Sequence, residues 1–145
     1  MMAVLEGIYR VVDMDQVVFA LIDQKSKTLR AKLMIGQRRE SIINHRASEV
    51  STGEYLGHLL AKGESDWITP ENCKQAQSKN VDPLIVKLGA KEFFVHPIKM
   101  RDKAIGIIYA DRCSDKSCFN RANFQSFRHL ADHASLAFRV LSNQS

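Results

Sequence analysis

Residues 91–112, KEFFVHPIKMRDKAIGIIYADR, hold the pattern that decides the fold. Lys91–Met100 and Ala104–Arg112 are strand-like runs, and the RDK between them is the short connection expected of a β-hairpin. Phe94, His96, Ile98 and Met100 share one face of the first run, while Phe93 and Val95 point the other way. Apolar side chains on both faces imply that the hairpin is covered on both sides. Gly106, inside the second run, allows a close approach to the backbone.

On the N-terminal side, Val4, Leu5, Ile8, Tyr9 and Val12 recur at helical spacing, which predicts an opening amphipathic helix over Val4–Met14. No capping residue precedes it, so Met1 reads as the start of a domain excised from a longer protein. Gln16–Asp23 contains VVFALI, a strand buried on both faces, and QKSK makes the turn that follows. In Thr28–Ile35, Leu29, Ala31, Leu33 and Ile35 alternate with Arg30, Lys32 and Met34. That strand is expected to turn one face to the core and to lie at a sheet edge.

Between residues 37 and 90 the pattern weakens. ESIINHRASEV and TGEYLGHLLAKG suggest short helices, DWIT a short extended piece, PENCKQAQ a helical turn opened by Pro70, and DPLIVKLGA one more short helix. After the hairpin, Asn120–Leu141 reads as a long helix, with Asn120 as N-cap and Phe119 and Phe124 placed for a hydrophobic staple. Its apolar stripe runs through Phe124, Phe127, Leu130, Ala131, Ala134, Phe138 and Leu141.

A chain of 145 residues with 45% apolar residues and no repeat is long enough for one core without metal or disulfide staples, so residues 1–145 are read as a single domain. Three cysteines cannot all pair within the chain, and no signal peptide or spanning segment is visible, which points to cytoplasmic thiols. The 21 Lys and Arg exceed the 16 Asp and Glu but are scattered in ones and twos, a poor match to a nucleic-acid footprint.

One stretch competes with this reading. Cys113, Cys118, His129 and His133 are spaced almost as in a two-Cys, two-His zinc finger. At about 100° per residue, however, the two histidines fall roughly 110–150° from the centre of the closing helix's apolar stripe. Finger histidines must turn inward beside the core, so these two are read as surface residues and no metal is assigned.

FFVHPIKMRDKAIGIIYADR followed by FNRANFQSFRHLADHASLAF resembles the end of a GAF domain: a hairpin containing a proline, a second strand ending in Tyr-x-Asp, then a capped long helix. Asn120 stands where that family places its capping Ser, and Phe124 where it places a Leu. LEGIYRVVDMDQVVFALID resembles the first helix and strand of GAF-like regions attached to bacterial HDOD-type signalling proteins. The resemblance implies an α+β fold: a central antiparallel sheet of five or six strands, terminal helices on one face, and short helices and loops enclosing a pocket on the other.

It also implies a non-enzymatic sensor that binds a small ligand, dimerises, or does both, and acts on an attached output domain. The Asn-Lys-x-Phe-Asp-Glu motif of cyclic-nucleotide-binding members does not occur here. Bilin-binding members carry Cys-His, whereas Cys73 is followed by Lys74, so no cofactor is assigned. A thiol-dependent reductase of free methionine sulfoxide, also a GAF-fold activity, is one alternative. It is disfavoured because Cys113 and Cys118 follow the second hairpin strand and Cys73 lies too early. A basic nucleic-acid-binding adaptor is the other alternative.

If a pocket exists, Lys32, Trp67, His96 and Tyr109 have suitable ligand-binding chemistry. Lysine and histidine can hold an anion, and the two aromatic rings can supply flat walls. Each also has a plain structural role open to it, His96 as a hydrogen-bonded histidine and Tyr109 as core. A single sheet face covers only part of the closing helix's stripe, leaving Phe138 and Leu141 to favour a homodimer through the terminal helices.

Overall fold

The computed structural model describes residues 2–23, 25, 28–36, 49–51, 59–72, 92–112 and 119–143. Cys73, Cys113, Cys118, the DPLIVKLGA segment and most of ESIINHRASEV lie outside the described residues. The elements in chain order are α1 (Met2–Val11), β1 (Gln16–Asp23), β2 (Thr28–Gly36), β3 (Glu49–Ser51), β4 (Asp66–Ile68), β5 (Glu92–Met100), β6 (Lys103–Arg112) and α2 (Arg121–Asn143). The strands form one six-stranded sheet in the order β3-β2-β1-β6-β5-β4, every neighbouring pair antiparallel.

Helix α1 stops at Val11 rather than Met14 because Asp13 takes a left-handed conformation, φ 57°. The Met14 N–H then donates to the Tyr9 carbonyl at 3.1 Å, a Schellman-type closure. At the other end of the chain, Asn120 and Asn123 cap α2 reciprocally: Asn123 N–H donates to Asn120 Oδ1 at 2.8 Å, and Asn120 N–H donates to Asn123 Oδ1 at 2.9 Å. Phe119 and Phe124 both pack on the ring of Phe94, with centroids 4.4 and 5.1 Å away.

The hairpin closes through Arg101 and Asp102, both left-handed at φ 52° and 65°, which makes a two-residue turn of the kind that matches strand twist. Gly106 is needed because a Cβ there would overlap the Ala20 carbonyl oxygen of β1. Both hairpin faces are covered. On the helix side, Phe94, Ile98, Ile108 and Ala110 join Leu5, Ile8 and Val12 of α1 and Phe127, Ala131 and Ala134 of α2. On the far side, Phe93, Val95, Ile107 and Tyr109 pack with Val18, Ala20, Leu29 and Met34, and with Leu59 from a helical turn at residues 59–62.

Strand β2 departs from its sequence pattern in two ways. Phe19 pairs with Leu33 but Ala20 pairs with Ala31, so Lys32 is the extra residue of a β-bulge. The bulge reverses face parity, placing Leu29 and Ala31 on the far side and Leu33 and Ile35 on the helix side. Nor is β2 an edge strand, because Thr28, Leu29 and Arg30 pair with Ser51, Val50 and Glu49 of β3. Glu49 and Val50 thus end ESIINHRASEV as strand rather than helix.

Phe138 is only partly available to a partner, and the Leu141 side chain lies outside the described residues. Phe138 is half-buried against the helix-side core, its ring 5.9 Å from that of Phe19. The large apolar side chains exposed among the described residues are Val11, at 68%, and Leu136, at 53%. Among the described residues, no helix is long and apolar enough to cross a membrane.

Candidate functional site

The end of β6 carries a buried polar cluster on the far side of the sheet. Tyr109 and Asp111 stand two residues apart on one strand, so their side chains share a face, and register sets Gln16 of β1 directly opposite Asp111. The Asp111 carboxylate accepts a hydrogen bond from Tyr109 Oη at 2.6 Å and another from Gln16 Nε2. Asp111 is wholly buried and Gln16 is 1% exposed, so each bond acts in a low-dielectric setting. Phe93 lies beside Tyr109 with ring centroids 5.2 Å apart. The arrangement combines a flat aromatic wall with a carboxylate, an amide and a phenol, chemistry suited to orienting a small polar molecule.

Trp67 and His96 project to the opposite, helix side. Trp67 packs edge-on to Phe94 at 5.7 Å and beside Phe124 at 5.9 Å, and its Nε1–H donates to Glu92 Oε2 at 2.7 Å. The second Glu92 oxygen accepts from the Phe119 backbone N–H at 2.9 Å. Arg112 works in parallel: its guanidinium donates to the Asp13 and Val12 carbonyls at 3.1 and 3.2 Å and lies 4.1 Å over the Phe119 ring. Glu92 and Arg112 therefore fix the start of α2 to β4, β5, β6 and the end of α1.

His96 is 9% exposed and sits between Ser65 and Asp132. Its Nδ1 is 2.6 Å from Ser65 Oγ, and its Nε2 is 3.4 Å from Asp132 Oδ1. Burial holds its pKa below the ordinary 6.5; Asp132 pulls it up and Arg128 pushes it down. Lys32, at the bulge, is exposed and lines a cleft of about 240 Å³ with Leu21, Ile22, Asp23 and Arg30. The four residues chosen for their chemistry thus occupy three places: Tyr109 on the far side, Trp67 and His96 under the helices, and Lys32 at the β1–β2 end.

His129 and His133 are both exposed on α2, edge to face with ring centroids 4.7 Å apart. Among the described residues, no three His, Cys, Asp or Glu side chains are grouped to hold a metal ion. The sequence reading did not single out Gln16, Glu92 or Arg112, and Asp111 entered it only as the last residue of Tyr-x-Asp. Their one visible signal is a polar or charged residue set at the end of an otherwise apolar strand.

A layer of terminal helices on one sheet face, with β1 paired to β6 at the centre, agrees with a sequence profile: that of the GAF domain matches residues 1–138. The chain belongs to the GAF domain family. Solved GAF structures share its fold at low identity. The GAF domain/HD domain protein from Geobacter sulfurreducens is 18% identical with a TM-score of 0.72, over 94% of this chain and 87% of that one. GAF-B of DevS from Mycobacterium smegmatis is 16% identical with a TM-score of 0.70, over 98% and 92%. The blue-light absorbing form of the Thermosynechococcus elongatus PixJ GAF domain is 13% identical with a TM-score of 0.69, over 98% and 84%. No curated protein sequence matches the chain. At these identities the structural likeness establishes the fold of this GAF domain and leaves its ligand to its own residues.

Proposed function

We propose that this GAF domain is a non-enzymatic sensory module of bacterial signal transduction, binding a small molecule on the sheet face opposite its terminal helices. The observation that carries the reading is the Tyr109–Asp111–Gln16 cluster beside Phe93. It concentrates polar groups, buried and bonded to one another, on the sheet face opposite the terminal helices. Tyr109 is the ligand contact assigned first; Trp67 and His96 act on the helix side by seating α2, and Lys32 serves the separate cleft at the bulge.

The module works in the cytoplasm as a homodimer through α1 and α2, and passes occupancy to an output domain of an HDOD-type parent protein. The pairing of GAF and HD domains in the Geobacter sulfurreducens protein supports such an arrangement. No cofactor is part of the proposal.

Native mass spectrometry of protein purified without added ligand tests it. The expected result is a mass increment of one small molecule per chain that is lost in Tyr109→Phe, whose missing hydroxyl removes one polar contact. A chain that acquires no increment even after incubation with a metabolite extract overturns the ligand reading. Sulfoxide-dependent turnover that vanishes in a cysteine-free variant overturns the non-enzymatic one.

A further inference from the structure

We propose that the Ser65–His96–Asp132 chain is a proton-controlled latch that sets how α2 is seated on the sheet. The inference does not depend on any ligand and rests on which atoms face each other.

A carboxylate can only accept hydrogen bonds, so Asp132, 3.4 Å from Nε2, favours the neutral tautomer of His96 that carries its proton there. Nδ1 is then a lone pair, and the Ser65 hydroxyl, 2.6 Å away, donates to it. Adding a proton places N–H on both ring nitrogens. The Ser65 hydroxyl must then reverse from donor to acceptor and send its own proton elsewhere, while the new positive charge draws Asp132 toward Nε2. One protonation therefore acts on two elements at once: the Ser65 bond reverses direction and becomes charge-assisted, and the middle of α2 is pulled inward.

The surroundings make His96 the group that decides. From α2, Asp132 favours the imidazolium and Arg128 opposes it. From β6 the residue paired with His96 is Ile108, which carries no charge. Beside Ser65, the Lys62–Glu64 pair is spent in solvent at 3.6 Å, and Asp66 Oδ1 accepts from the Trp67 N–H at 2.9 Å. The segment that ends at Ser65 begins at the 59–62 turn, whose Leu59 packs in the far-side core. The latch therefore joins both layers of the molecule across one imidazole.

The sign of the pH effect follows from burial. A histidine whose folded pKa lies below its ordinary value binds a proton more readily in the unfolded chain, so its contribution to stability is complete above pH 6.5 and is lost as pH falls toward the folded value. Acidification in that window is where the latch changes state.

The test is an NMR titration of the full chain, following the His96 Cε1–H signal and the backbone amides of α2 between Phe124 and Ser135. The α2 amides are expected to move with the His96 midpoint. That shared midpoint is expected to fall in Asp132→Asn and to rise in Arg128→Gln, both substitutions at exposed helix positions, the second also removing a guanidinium 5.7 Å over the Phe124 ring. His96→Gln should abolish the movement. If it does not fold, the two helix variants decide alone. Alpha-2 amides that stay still while His96 titrates, or that share no midpoint shift with it in either helix variant, overturn the latch. So does a His96 that binds no proton before the domain unfolds in acid.

Discussion

Glu92 shows how much one buried side chain can organise at the scale of a residue. It is 4% exposed, and its two oxygens serve the Trp67 indole and the Phe119 backbone N–H. Removing it leaves both donors in an apolar layer without an acceptor, and each such orphan costs about 1–3 kcal/mol. Glu92→Ala is therefore expected to lower the unfolding free energy by about 2–4 kcal/mol in urea denaturation, and Glu92→Gln, which keeps one acceptor, by less. A loss under about 0.5 kcal/mol for the alanine variant would show that the two donors find other partners. Sequence could not reveal this role, because a carboxylate opening a strand reads as a solvated end until the start of α2 is known to cover it. The placement of His96 was legible in part: it was grouped with Tyr109 as a pocket candidate, yet the two lie on opposite faces of the sheet. Alternation set His96 on the same face as Phe94 and Ile98, and those two residues are the ones that the terminal helices bury.

At the scale of elements, long periodic segments were readable and short ones only in part. Gln16–Asp23 is a strand with the bounds its apolar run suggests, both hairpin strands end where their runs end, and β6 starts one residue before its run, at Lys103. Strands β3 and β4 are three residues each; β4 lies where DWIT reads as extended, whereas β3 falls in a segment whose composition suggests helix. The Lys32 bulge is a tertiary feature: nothing local distinguishes it from regular alternation, yet it turns Leu33 and Ile35 to the other face. The start of α2 is the opposite case, since cap and staple residues are adjacent in sequence and fix each other locally. Asn120→Ala removes the Oδ1 acceptor of the Asn123 N–H and is expected to cost about 1 kcal/mol, with Asn120→Ser restoring most of it. Thermal unfolding checks both; equal melting temperatures for wild type and the alanine variant would mean that the reciprocal Asn123 contact carries the cap.

For the whole molecule, the question is where two copies meet. Arg112 brings the end of α1 to Phe119 at the start of α2, and Gly7 in the middle of α1 faces Leu130 farther along α2. The two helices therefore run antiparallel, and Val11 and Leu136 lie toward opposite ends of the pair. In the proposed homodimer, a twofold axis crossing the pair between them would set Val11 of one copy against Leu136 of the other, twice, the self-complementary arrangement an isologous dimer requires. Phe138 contributes less to this interface, because one side of its ring is engaged with Phe19. Leu136→Glu is accordingly expected to weaken the proposed dimer at least about tenfold while changing domain stability by no more than about 0.5 kcal/mol, as for other surface substitutions. Phe138→Glu instead forces a carboxylate against the Phe19 ring and should unfold the domain. Sedimentation equilibrium at micromolar concentration separates the cases. A monomeric wild type defeats the dimer, and a dimer unmoved by glutamate at both Val11 and Leu136 places its interface elsewhere.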